Sequence, residues 1–122
     1  MRAERKARLE SAGVDVEQAL ERMMGSDALL ERLLHKFLED GNFTALTAAL
    51  EAGDLPAAVN ASHTLKGVCG NLSMTGLYIS LAGQVDALRR GDLDGARAAM
   101  EQIAPAYEAM CRAIGGQGDG AR

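Results

Sequence analysis

Two histidines, two cysteines and a scatter of carboxylates could do chemistry in this chain, and only one of them stands in a pattern. His63 lies in ASHTLKGVCGN, residues 61–71, with Lys66 three positions on, Gly67 four and Gly70 seven. The segment reads as helix, where each glycine costs roughly 1 kcal/mol against alanine, so bare backbone beside one imidazole needs a reason. An imidazole keeps a lone pair on one nitrogen near neutral pH and is a capable nucleophile. Positions i+3 and i+4 are its nearest neighbours on a helix surface. An ammonium at one and no side chain at the other leave positive charge and room for an anion. Transient covalent chemistry with a group such as phosphoryl follows from that combination. No serine or cysteine nucleophile motif, P-loop, Gly-rich nucleotide loop or metal quartet accompanies it. No resident cofactor or metal site is therefore expected, and the phosphoryl group has to come from a partner.

The other reactive types read as structural. His35, in LLHKFL with Glu31 and Glu39 four residues to either side, lacks any glycine and is expected to be exposed or half-packed. Cys69 and Cys111 form no CxxC and no disulfide framework, which suits a reduced, cytosolic setting. Each reads as a small buried hydrophobe. The carboxylates of Glu39, Asp40, Asp92 and Asp94 fall at helix ends, where dipole and capping reasons suffice.

The elements that must position His63 come next. At about 100° per residue, Leu55, Ala58, Ser62, Leu65, Cys69 and Leu72 form one seam of a helix over 55–72. His63 lies about 140° from the middle of that seam, hence on the exposed side. Val59, Asn60, Lys66, Gly67 and Gly70 share that side. Of these, Lys66 is expected to stabilise the anion, and Val59, Asn60, Gly67 and Gly70 to meet the partner. A metal site pairing His63 with Cys69 is disfavoured because Cys69 falls in the core seam.

Four pairs, Gly25-Ser26, Gly41-Asn42, Gly53-Asp54 and Gly91-Asp92, read as helix stop followed by helix start. They predict helices near 15–24, 27–40, 43–52 and 55–72, a tight turn over 73–76, then helices to Arg90 and from Leu93 to Ile114. Pro105 should kink or split the last of these. Residues 1–12 are expected to be an extension or linker, 13–114 the helical domain, and 115–122 a disordered Gly-rich tail. Short connections between amphipathic helices imply antiparallel neighbours. The expected class is all-α, an up-down antiparallel four-helix bundle with additional short N-terminal helices.

Composition agrees. Phe37, Phe43, Tyr78 and Tyr107 are the only aromatic residues, so a core has to be built from aliphatic side chains, as helix packing allows. The formal charge of −4 argues against nucleic-acid binding. The cluster Arg2, Arg5, Lys6 and Arg8 is interrupted by Glu4 and Glu10 and reads as a solvated end. No apolar run is long enough to span a bilayer and no secretory signal is visible. No second apolar stripe suggests self-association, so a monomer is expected.

SHTLKGVCGNL, Ser62 to Leu72, resembles the signature of histidine-containing phosphotransfer (HPt) domains of two-component phosphorelays, roughly A-H-x-L-K-G-x-x-G-N-L-G. The similarity extends over about 13–114. The resemblance implies that His63 is the phosphoacceptor, attacking through Nε2, and that Lys66, Gly67 and Gly70 are its motif neighbours. The implied partners are receiver domains of response regulators or of a hybrid histidine kinase, one donating from phosphoaspartate and another accepting. The receiver would bring Mg²⁺, and this chain would be a phosphocarrier and not an enzyme acting alone. It could equally be a free-standing protein or part of a hybrid sensor kinase. Ser62 departs from a common alanine and Ser73 from a frequent glycine. LYISLAGQVDAL lies one residue further from the histidine than usual. Either Gln84 or Asp86 could therefore hold the position from which some members bond the phosphoimidazole. The alternatives are an HPt-like module that binds receivers without carrying phosphate, and the phosphorylated domain of a chemotaxis-type kinase.

Overall fold

The computed structural model describes residues 1–116 and is all-helical, with no strand among them. Seven helices follow in order: α1 Ala3–Ser11, α2 Val16–Arg22, α3 Asp27–Leu38, α4 Asn42–Ala52, α5 Leu55–Asn71, α6 Thr75–Arg89 and α7 Leu93–Gly115. Helices α4, α5, α6 and α7 pack as sequential neighbours, and α3 together with α4 closes the ring against α7. Short connections make successive helices antiparallel, giving the up-down bundle. Its centre is aliphatic, with Leu30, Leu34, Leu46, Leu65, Leu81 and Ile103 fully buried around Phe37.

Local signals set most boundaries. Ser26, Asp54 and Asp92 cap α3, α5 and α7, each side chain accepting a backbone N–H three residues on. Gly53 ends α4 in the left-handed conformation at φ 70°. The pair at 41–42 behaves differently from expectation. Gly41, at φ −88°, is itself the N-cap, and the carboxylate of Asp40 before it accepts from the backbone and side-chain amides of Asn42 at 2.8 Å each. The turn after α5 is also shorter than expected, since Thr75 and Gly76 already belong to α6.

Pro105 does not split α7, which is assigned helix throughout. Pro105 and Glu101 are both exposed, so the carbonyl that loses its helical partner at Glu101 faces water. Gly115 and Gly116 end and cap α7. The rest of the expected tail, 117–122, lies outside the described residues.

The first residues, expected as an extension or linker, take a definite form. They form α1, with Leu9 fully buried in the core. The basic cluster acts within the molecule. Arg5 donates to the carboxylate of Glu31 at 2.7 and 3.1 Å and to the carbonyls of Ala113 and Ile114 at 3.0 and 2.7 Å. The Arg8 side chain adds a bond to Ala113 at 3.3 Å. These carbonyls lie in the last turn of α7, where positive charge is favoured.

The Arg5 hydrogen bonds hold the Glu31 carboxyl below its ordinary range, against the opposing effect of burial. A depressed folded pKa gives stability that is present above the unfolded value and lost as pH falls through the folded one. Arg5→Ala is expected to destabilise the protein by about 1.5–3 kcal/mol at neutral pH. The deficit should shrink in acid, leaving the part due to the α7 carbonyls. Urea unfolding of both proteins at neutral and acid pH checks it; a pH-independent difference would exclude the Glu31 contribution.

Candidate functional site

The segment that carries His63 is held at both ends. Asp54 caps its start and Pro56 stands in its first turn, where a missing N–H costs nothing. At its other end α2 and the residues before it strap the turn. Asp15 N–H donates to the Ser73 carbonyl at 2.8 Å, Thr75 N–H to the Gly13 carbonyl at 3.2 Å, and Ser73 Oγ to Gln18 Oε1 at 2.9 Å. Ser73 takes φ 55° here, which explains why a glycine would also suit the position.

The seam read from the sequence is the buried face. Ala58, Ser62, Leu65, Cys69 and Leu72 are buried and Leu55 partly so, while His63 is exposed on the other side. The His63 ring makes no hydrogen bond among the described residues, so a nitrogen lone pair is open to solvent. His35 contrasts with it: also exposed, its Nδ1 is tied to the Glu31 carbonyl at 2.9 Å. Burial pushes the Cys69 thiol up to about 12 and raises that of Cys111, so neither is a ready nucleophile.

The rotation that turns His63 outward has a buried lock. Ser62 Oγ donates to Gln84 Oε1 at 2.8 Å, and Gln84 Nε2 donates to the Ala96 carbonyl at 2.9 Å. Ser62 and Gln84 are 0% and 1% exposed, so the network joins α5, α6 and α7 in the interior beside the histidine. Gln84 is therefore directed to the bundle axis and not hydrogen-bonded to His63. Asp86 is exposed and bonds to neither Ser62 nor His63.

Around the imidazole, Asn60 and Gly67 are exposed and Lys66 and Gly70 half-buried. Val59 is half-buried and packs against the core, so it offers less surface than its register suggested. The two glycines differ. A Cβ placed on Gly67 would meet nothing within 4 Å, so the approach there is open. A Cβ on Gly70 would lie 3.1 Å from Cδ1 and Cε1 of Tyr78. Part of the space left by Gly70 is thus filled from within the molecule, and the rest opens on the groove that Gly70 also lines.

Sequence reasoning passed over Tyr78 and Ile79, which are 41% and 70% exposed on α6. The signal was available: Leu77, Leu81, Val85 and Leu88 trace the inward face of α6, and Tyr78 and Ile79 fall off it. Together with Gly67, Asn71 and Thr75, and with Arg22 of α2, they line a groove on this side of the bundle. A second, apolar groove lies between α4 and α7 around Phe43, Leu50 and Met100, and no residue of α5 lines it.

Among the described residues no group of three His, Cys, Asp or Glu side chains could hold a metal ion. Nor is any described helix long and apolar enough to cross a membrane. The model of one protein family, described as the Hpt domain, matches residues 9–114. No curated protein and no solved structure matches the chain significantly.

Proposed function

Because the chain belongs to the Hpt domain family, whose members carry phosphoryl groups on histidine in phosphorelays, we propose that it takes a phosphoryl group on His63 from one receiver domain and delivers it to another. The observation that carries this reading is the exposed, unbonded His63 ring with open backbone at Gly67 one turn away.

The neutral imidazole with its proton on Nδ1 presents the Nε2 lone pair. That pair forms the Nε2–P bond as the P–O bond to the receiver aspartate breaks, and the aspartate leaves as carboxylate. No proton needs to move, since the positive charge on the phosphorylated ring offsets one phosphoryl charge. Lys66 places a second cation by the phosphoryl oxygens. Phosphoryl transfer depends mainly on positioning and charge stabilisation. Mg²⁺ bound by the receiver supplies the remaining charge neutralisation. The reverse displacement on a second receiver regenerates neutral His63.

The groove beside His63, with exposed Ile79 at its edge, is the surface on which a receiver docks. Mixing the protein with a receiver domain carrying labelled phosphoaspartate and Mg²⁺ should move label to this chain in an acid-labile, base-stable form. A receiver that binds but transfers no label would leave a binding module in place of a carrier.

A further inference from the structure

Lys66 has no carboxylate partner among the described residues. What it does have is an aromatic ring: its Nζ lies 5.9 Å from the centroid of Tyr78, within cation–π range. A four-carbon lysine stem on a helix surface otherwise samples many rotamers, and fixing one costs entropy. Tyr78 belongs to α6, so the contact joins the two helices that border the site.

Gly70 gives the ring room to lie this close to α5. Cδ1 and Cε1 of Tyr78 sit 3.1 Å from where a Cβ of residue 70 would stand, closer than most Cβ contacts, so a side chain there would shift the ring slightly. Tyr78 therefore lies on bare α5 backbone, one turn beyond Lys66, while His63 lies one turn before it. Along α5, Lys66 thus stands between His63 and the residue on which the Tyr78 ring rests. Gly67, between them, adds no obstruction.

We propose that Tyr78 is a positioning residue for Lys66: seated on Gly70, its ring holds the ammonium on the His63 face, ready for the phosphoryl oxygens. The assignment rests on the carrier reading of His63 for its consequence, but the geometry it asserts does not. Gly70 thereby acquires a role distinct from that of Gly67. One glycine admits a side chain of the protein itself, and the other leaves room for the partner.

The test has a spectroscopic arm and a kinetic arm. In the wild type, the ring current of Tyr78 should displace the Lys66 side-chain proton resonances upfield. The displacement should vanish in Tyr78→Leu, persist in Tyr78→Phe and weaken in Gly70→Ala. In transfer from a phosphorylated receiver, Tyr78→Leu should be slower by about two- to five-fold, with Tyr78→Phe losing clearly less. In a Lys66→Met background the same Tyr78→Leu change should slow transfer less than it does with Lys66 present. An equal slowing with and without Lys66, a loss in Tyr78→Phe as large as in Tyr78→Leu, or unshifted Lys66 resonances would each overturn the assignment. Should no protein accept phosphate at all, the carrier reading fails, and the resonance shifts still decide the position of Lys66.

Discussion

His63→Gln is expected to abolish phosphotransfer while leaving the bundle folded. Glutamine has similar bulk, a helix propensity at least as good, and an amide nitrogen without a nucleophilic lone pair. The replaced ring is exposed and makes no hydrogen bond among the described residues, so stability should stay within about 0.5 kcal/mol of wild type. Circular dichroism and thermal unfolding check the fold, and label transfer from a phosphorylated receiver checks the chemistry. Acid-labile label retained on the variant would move the acceptor elsewhere, with His35 the remaining imidazole. His35 is tied to the Glu31 carbonyl, so His35→Gln should transfer normally. The pair of variants separates loss of the nucleophile from any general effect of removing a histidine.

Gly67→Gln should change stability and activity in opposite directions. Glycine within a helix costs roughly 1 kcal/mol against alanine and nearly as much against glutamine. Gly67 lies inside α5, and a Cβ there meets nothing within 4 Å. The variant is therefore expected to be more stable by roughly 0.5–1 kcal/mol. On the carrier reading, a long side chain one turn from His63 stands where the receiver must come close. Transfer should slow by about 10- to 100-fold, the effect of displacing reacting groups by around an ångström. Gly67→Ala, with much less bulk, should keep most of the stability gain and lose less of the rate. Urea midpoints and single-turnover transfer rates measure the two sides. Unchanged transfer in Gly67→Gln would mean that the partner approaches from another direction. A fall in stability would mean that the space at Gly67 is not open as described. Opposite signs are informative because a merely structural glycine would lower both quantities together.

Much of this molecule was legible along the chain because helical order is local. The apolar period from Leu55 to Leu72, the Asp54 cap and the first-turn proline involve residues within a few positions of one another. They suffice to say that α5 is a helix and that His63 faces away from its seam. The resemblance of SHTLKGVCGNL to the HPt signature then gave that face a chemistry, and the family match over 9–114 agrees with it. What the chain alone could not supply were partners distant in sequence. Arg5 and Arg8 look like a solvated basic end until α7 terminates beside them and offers carbonyls to cap. Gln84 is polar and would be placed on a surface by composition, yet Ser62 and the Ala96 carbonyl satisfy it inside the bundle. Gly70 and Gly67 are indistinguishable as letters in a motif. Only the packing of α6 on α5 gives one of them a tyrosine ring and leaves the other bare. The helical period decides which way a side chain leaves its own helix, whereas what it meets there depends on how another helix packs against it.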